Sequence, residues 1–270
     1  MGTIESTSTG PRSGERTPRR GTGFVIGVVA SVAAGIAVYL IGLPTSPTVF
    51  DTSPADLTLP AALFVGFTGV MVTGIAAAGR PRWRVVEIVV ASVLGVAGGL
   101  LFGLWNATAW PVLSGGLGFY PPASSVLVGV WLLPAVLGGL IVRRPGAAVY
   151  TELVAAVLSA LIGNQWGFAT VWYGLVEGMG AEVVFALLLY RSFGLPAALG
   201  AGAGAGVTVG LMDSILYYPL FSVPYKLAYI VGAVLSGVVI AGLGSWALAR
   251  GLARTGALAP MASGRLAERV

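Results

Sequence analysis

RRPGAAVYTELVAAVLSALIGNQWGFATVWYGLVEGMGAEVVFALLLYR, residues 143–191, decides how the rest of the chain is read. It holds two apolar segments, 147–162 and 168–190, joined by the short polar run Gly163-Asn164-Gln165-Trp166-Gly167. Arg143 and Arg144 precede the first segment and Arg191 follows the second. Helices rise about 1.5 Å per residue, so the stretch predicts two antiparallel membrane helices with arginines at one side. Three carboxylates, Glu152, Glu177 and Glu182, lie within these helices. An ionisable side chain at membrane depth costs about 2.5 kcal/mol or more, so each one marks a candidate site.

Outward from this hairpin, 56% of the 270 residues are hydrophobic, 9% are charged, and the mean hydropathy is +0.90. Soluble domains carry about 25% charged residues, so the chain is an all-α integral membrane protein. Its pI of 9.8 comes from arginines at span ends, which points to membrane topology and not to nucleic-acid binding. Without cysteine there are no disulfides, no thiolate chemistry and no cysteine-ligated metal. Without histidine there is no Ser-His-Asp arrangement and no HExxH zinc site, and no metal or other cofactor is expected. The single lysine, Lys226, stands in FSVPYK, so the chain has no GxxxxGK[ST] loop for ATP. Active transport would draw on an ion gradient or on another subunit.

Residues 1–23 are rich in Ser, Thr, Gly and Arg and predict a disordered basic arm. The apolar run 24–43 is too long for a signal-peptide core and reads as a first span. Further spans are expected at 61–78, 85–104 and 124–142, then the central pair, then 195–216 and 227–249. Eight spans put all fourteen arginines on one side and leave only Lys226 on the other. By the positive-inside rule both termini are then cytoplasmic, in a prokaryotic cell membrane. Residues 105–123 (WNATAWPVLSGGLGFYPPA), the Asn164–Trp166 hairpin and 217–226 (YYPLFSVPYK) fall outside as aromatic and polar connections. They read either as the closure of an outward pocket, with Asn164 and Gln165 adding donors, or as an ordinary interfacial aromatic belt.

Depth sorts the acids. Glu177 lies roughly 14 Å below the outer end of its span, and Asp213 sits near the outer end of the seventh. Glu152 and Glu182 share a depth about 9 to 12 Å from the arginine side, on antiparallel neighbours. Glu177 shares its helix face with Tyr173, whereas Glu182, five residues on, faces elsewhere. The functional reading places Glu177, Asp213, Tyr173, Tyr217 and Asn164 around a cationic or aminated ring, with Trp131 and Trp166 stacked on it. The plainer reading makes each acid a hydrogen-bonded link between helices, and for Glu152 and Glu182 the two are evenly matched. Glu87 is expected to pair with an arginine of the Arg82/Arg84 cluster. Small residues recur every fourth position at Ala91, Gly95 and Gly99, and again at Gly202, Gly206 and Gly210, where helices approach closely.

RRPGAAVYTE, GNQWG and YGLVEGMGAEVVFALLLY, in this order and spacing, resemble the YkoE-type substrate-binding (S) components of energy-coupling factor (ECF) transporters. The resemblance runs over 82–266 and takes in Gly129-x-Trp131, Asp213 and the tail ARTGALAPMA. It implies a six-helix core at 82–254, two additional helices at 24–81 and a cytoplasmic tail at 255–270. It further implies capture of thiamine or its hydroxymethylpyrimidine precursor, with a transmembrane coupling subunit and two ABC-type ATPases as partners. On this reading the Ala91-Gly95-Gly99 stripe is the docking face. The family pattern has Gln where this chain has Glu177, a departure that alters the charge of the site. Two other classes remain beside it. An autonomous proton-coupled transporter would use Glu177 or Glu152 as proton carrier. A membrane aspartyl enzyme would need a pair of intramembrane aspartates, and Asp213 stands alone.

Overall fold

Backbone polar groups in a bilayer have to be satisfied within the protein, and helices do this locally. The computed structural model describes residues 19–42, 54–79 and 82–265, and among these no strand occurs. The elements are α1 (Arg19–Gly42), α2 (Pro54–Ala78), α3 (Val85–Ala107), α4 (Ala109–Gly116) and a 3₁₀ segment (Pro121–Val130). There follow α5 (Leu133–Val142), α6 (Ala147–Ile162), α7 (Ala169–Leu187) and α8 (Leu195–Leu216). The chain closes with α9 (Val223–Ser236), a π-helical segment (Gly237–Leu243), α10 (Gly244–Arg254) and α11 (Ala262–Arg265). Seven helical stretches among the described residues are long and apolar enough to cross a membrane, and α6 is a shorter apolar helix.

Four elements differ from expectation. Residues 105–123 are largely helical: α3 continues through Asn106, and Pro111 falls in the first turn of α4, where its missing N–H costs no helix bond. The span expected at 124–142 is broken, running as 3₁₀ helix to Val130 and as α-helix only from Leu133. Pro121, Pro122 and Pro134 start its two halves and leave Trp131 at the break. The last span is longer than expected, 223–254, with the π segment where Gly237 meets Gly202 backbone to backbone. The first helix starts at Arg19, inside the stretch read as a disordered arm. Residues 1–18, the connection 43–53, Arg80 and Pro81, and 266–270 lie outside the described residues.

Helix α5 is apolar all round and buried from Pro134 to Val142, with α3, α6, α7, α8, the π segment and α10 packed around it. Helices α3, α6, α7, α8 and α9 pack in succession, and α10 closes on α5. Helices α1 and α2 form an outer hairpin, with Gly35 against Gly66, and α2 attaches to α7, where Gly74 faces Ala186.

The Ala91-Gly95-Gly99 stripe, expected as a docking face, is taken up within the chain. A Cβ on Gly95 would lie 2.9 Å from the Thr151 carbonyl oxygen, and one on Gly99 2.8 Å from that of Ala155, both on α6. Ala91 is fully buried beside Leu258 and Met261 of the tail. The stripe therefore seats α6 and has no free surface for a partner. Gly202, Gly206 and Gly210 likewise seat the π segment and α9.

At the arginine end, Glu87 accepts hydrogen bonds from Arg84 Nε (2.9 Å) and, through both oxygens, from Arg144 (2.9 Å each). The expected partner is found, and a second arginine joins it. The tail folds back over this end, where Arg84 donates to the Pro260 carbonyl oxygen at 3.3 Å.

Candidate ligand-binding site

Away from that end, the helices leave a cavity of about 260 Å³. Its shape follows from small residues. Gly174 and Gly178 on α7 let α6 approach so closely that a Cβ on Gly178 would stand 2.9 Å from the Val149 Cα. This brings Glu152 of α6 and Glu177 of α7 to the same space. The break between the 3₁₀ segment and α5 places Trp131 in its wall.

One wall is aromatic. Trp131 stands at the middle of an edge-to-face group with Trp105 (6.3 Å between centroids), Trp110 (4.7 Å) and Trp166 (5.5 Å). Its indole N–H donates to Asn106 Oδ1 at 3.0 Å, which fixes the ring. The other wall carries acids and tyrosines. Asp213 accepts a 2.6 Å hydrogen bond from the Tyr229 hydroxyl. Tyr173 stacks obliquely with Tyr217 at 5.6 Å, and its buried hydroxyl faces Asp213 without a well-formed hydrogen bond. Burial, reinforced by Asp213 and Glu177, pushes the Tyr217 hydroxyl up to about 12, so it remains a neutral donor.

Glu177 is 6% exposed, faces the cavity and makes no hydrogen bond among the described residues. Glu152 is fully buried: Oε2 accepts from the Ala135 N–H at 2.7 Å, while Oε1 has no partner. No lysine or arginine lines the cavity. Two incompletely bonded carboxylates, a third bound to a tyrosine, and tryptophan faces make a site for a flat ligand bearing positive charge or N–H donors.

Of the residues singled out from the sequence, Trp131, Trp166, Tyr173, Glu177, Asp213, Tyr217 and Glu152 line this cavity. Asn164 and Glu182 do not. Asn164 instead builds the hairpin: its Oδ1 accepts from the Trp166 N–H (2.9 Å) and Thr170 Oγ1 (3.1 Å), and its Nδ2 donates to Ser159 (3.1 Å). Glu182 caps the start of α6, accepting from the Gly146 N–H (2.7 Å) and the Ala148 N–H (2.8 Å). Neither residue lines the cavity, and the hydrogen bonds of both side chains go to the backbone and side chains that shape the hairpin and the start of α6. Sequence reading missed Asn106, Trp110, Thr170, Tyr218 and Tyr229 in the wall. Trp110 was within sight, in the aromatic stretch read as a lid. Tyr229 joins Asp213 from another helix, and no spacing rule signals such a pair.

The family model for the permease component of ABC-type cobalt transport systems matches residues 86–208. A Bacillus subtilis (strain 168) protein described as an HMP/thiamine permease, YkoE, is 34% identical over 184 residues. That alignment covers 68% of this chain and 91% of the relative. A crystal structure of an ECF transporter S component superposes with a TM-score of 0.66 at 33% identity, over 70% of this chain and 94% of that one. The chain belongs to the S components of ECF transporters. It is a multi-pass membrane transport subunit and not an enzyme. The cobalt in the first description stays with that description, since an S component without histidine or cysteine has no imidazole or thiolate for a transition metal.

Proposed function

We propose that this S component captures thiamine or its hydroxymethylpyrimidine precursor from outside and releases it inward within an ATP-driven importer. The observation that carries the proposal is the cavity itself: acids without basic counterparts on one side, tryptophans on the other. Thiamine carries a permanent positive charge and an aminopyrimidine ring, and each wall answers one of these features. The relative described as an HMP/thiamine permease supports the same ligand class. A transmembrane coupling subunit and two ABC-type ATPases supply the energy, because the chain has no phosphate-binding loop of its own.

In this proposal the chain crosses the membrane eight times with both termini in the cytoplasm, α6 being the short eighth crossing. The arrangement gathers Arg82, Arg84, Arg143, Arg144, Arg191, Arg250 and Arg254 at one end, with the tryptophan-walled cavity toward the other. Residues 82–254 form the binding core, and 24–81 are an addition to it.

Titration of the detergent-solubilised chain tests the ligand. Thiamine is expected to quench tryptophan fluorescence without nucleotide or other subunits, given Trp110, Trp131 and Trp166 at the cavity. Glu177→Ala is expected to weaken binding by about 1–3 kcal/mol, as it removes an acceptor from a dry site. Flat titrations with both pyrimidines overturn the assignment. Uptake by membranes holding this chain alone, abolished by an uncoupler, would instead support a proton-coupled transporter.

A further inference from the structure

We propose that Glu152 is a shared carboxylate: one oxygen caps α5, and the other accepts a hydrogen bond from an N–H donor of the ligand at the deep end of the cavity. This inference rests on the cavity being the ligand site and assigns one of its contacts.

The capping half follows from the break in the span. Pro134 has no N–H, and the Ala135 N–H that follows it is one of the opening-turn donors of α5 that helix geometry leaves without a partner inside the helix. Glu152 Oε2 takes that donor at 2.7 Å from the neighbouring helix α6. A negative group at a helix start is also favoured by the aligned peptide dipoles.

The ligand half follows from what is left over. Glu152 is 0% exposed, lines the cavity, and its Oε1 has no hydrogen-bond partner among the described residues. A buried carboxylate oxygen with no donor is costly, and native proteins rarely leave one so. Glu152 lies ten positions from Ile162, the hairpin end of α6, which is about 15 Å of helix. Glu177 lies eight positions from Ala169, about 12 Å, so Glu152 is the deeper of the two. The group it calls for is a donor: an exocyclic amine or a protonated ring nitrogen, as on a 4-aminopyrimidine. A carbonyl at that point would set two acceptors against each other. Ligand, Glu152 and the first turn of α5 then lie on one hydrogen-bonded line that ends beside Trp131.

Glu152→Gln separates the two halves. The glutamine carbonyl still accepts from Ala135, so its NH₂ turns toward the cavity and replaces an acceptor with a donor. The variant is expected to melt close to the parent in detergent but to bind thiamine about tenfold more weakly or worse. The thiamine analogue with an oxo group in place of the 4-amino group is expected to bind the parent poorly and to lose nothing further in Glu152→Gln. Glu152→Ala, which leaves Ala135 uncapped, is expected to melt lower. Overturning results are equally definite. Thiamine affinity within about twofold of the parent in Glu152→Gln removes the ligand contact. An equal loss for thiamine and the oxo analogue, with a lowered melting temperature, makes the residue structural only. A parent-like melt for Glu152→Ala removes the cap. If the parent itself binds neither thiamine nor hydroxymethylpyrimidine, the reading of the cavity fails, and the inference with it.

Discussion

Glu152, Glu177 and Glu182 carry one functional group within 31 positions of two packed helices, and their surroundings give them three tasks. Glu182 spends both oxygens on the backbone N–H groups of Gly146 and Ala148, where α6 starts after the left-handed Gly146. Glu152 spends one oxygen on α5 and keeps one. Glu177 keeps both. Substitution at Glu182 is therefore expected to act on stability and not on ligand contact. Either Glu182→Ala or Glu182→Gln leaves at least one buried N–H unpaired, since a glutamine carbonyl cannot serve both donors in the places of two oxygens. A loss of about 1–3 kcal/mol is expected in denaturant unfolding, with ligand affinity of the folded fraction unchanged. Loss of affinity at parental stability would put Glu182 in the site after all. The acids were legible in the sequence because an apolar background makes them conspicuous. Their division of labour was not. Each cap joins residues 17 to 36 apart through the geometry of a break or a tight turn, and that geometry leaves no periodic mark.

At the scale of elements, apolar runs located most helices, because a span must be long and unbroken in lipid whatever it packs on. Reading failed where proline and glycine act locally. Pro111 starts a helix instead of ending one, and Pro134 restarts a span after Trp131. Glycine stripes mark close approach but do not say to what. Here the Gly95 and Gly99 positions are filled by Val154 and Leu158 of α6, so bulk on this stripe is expected to damage the fold. Gly95→Leu is expected to lower the melting temperature and to weaken thiamine binding together, because α6 carries Glu152 and Ala156 of the cavity wall. Parallel thermal melts and fluorescence titrations check this. A variant that binds and melts like the parent but no longer transports would return the stripe to the role of docking face.

At the scale of the whole molecule, the helices that enclose the cavity carry the α1–α2 hairpin against their flank. Every residue lining the cavity lies between Phe102 and Tyr229, and none comes from α1 or α2. Helix α1 packs along α2, and α2 reaches the core through α7, where Phe64 meets Trp172 at 5.8 Å between ring centroids. Trp172 is not in the cavity wall, so the contact stops one helix face short of the cavity. The seam is also loosely filled. Between the hairpin and α7 lies a gap of about 350 Å³ lined by apolar side chains such as Val32, Ile36, Phe67, Val183 and Leu187 and by Tyr39. Lipid tails are as apolar as these side chains, so exposing the α7 face to lipid forfeits packing but little hydrophobic free energy. Removal of residues 1–81 is therefore expected to leave a folded core that binds thiamine within about threefold of the full chain, as for changes remote from a site. Titration of the truncated and full chains in the same detergent decides it. A core that folds but no longer binds would mean that α2 holds α7, and with it Tyr173 and Glu177, in the binding position. Unchanged binding with lost uptake in cells would place the work of the hairpin in assembly or transport, downstream of capture.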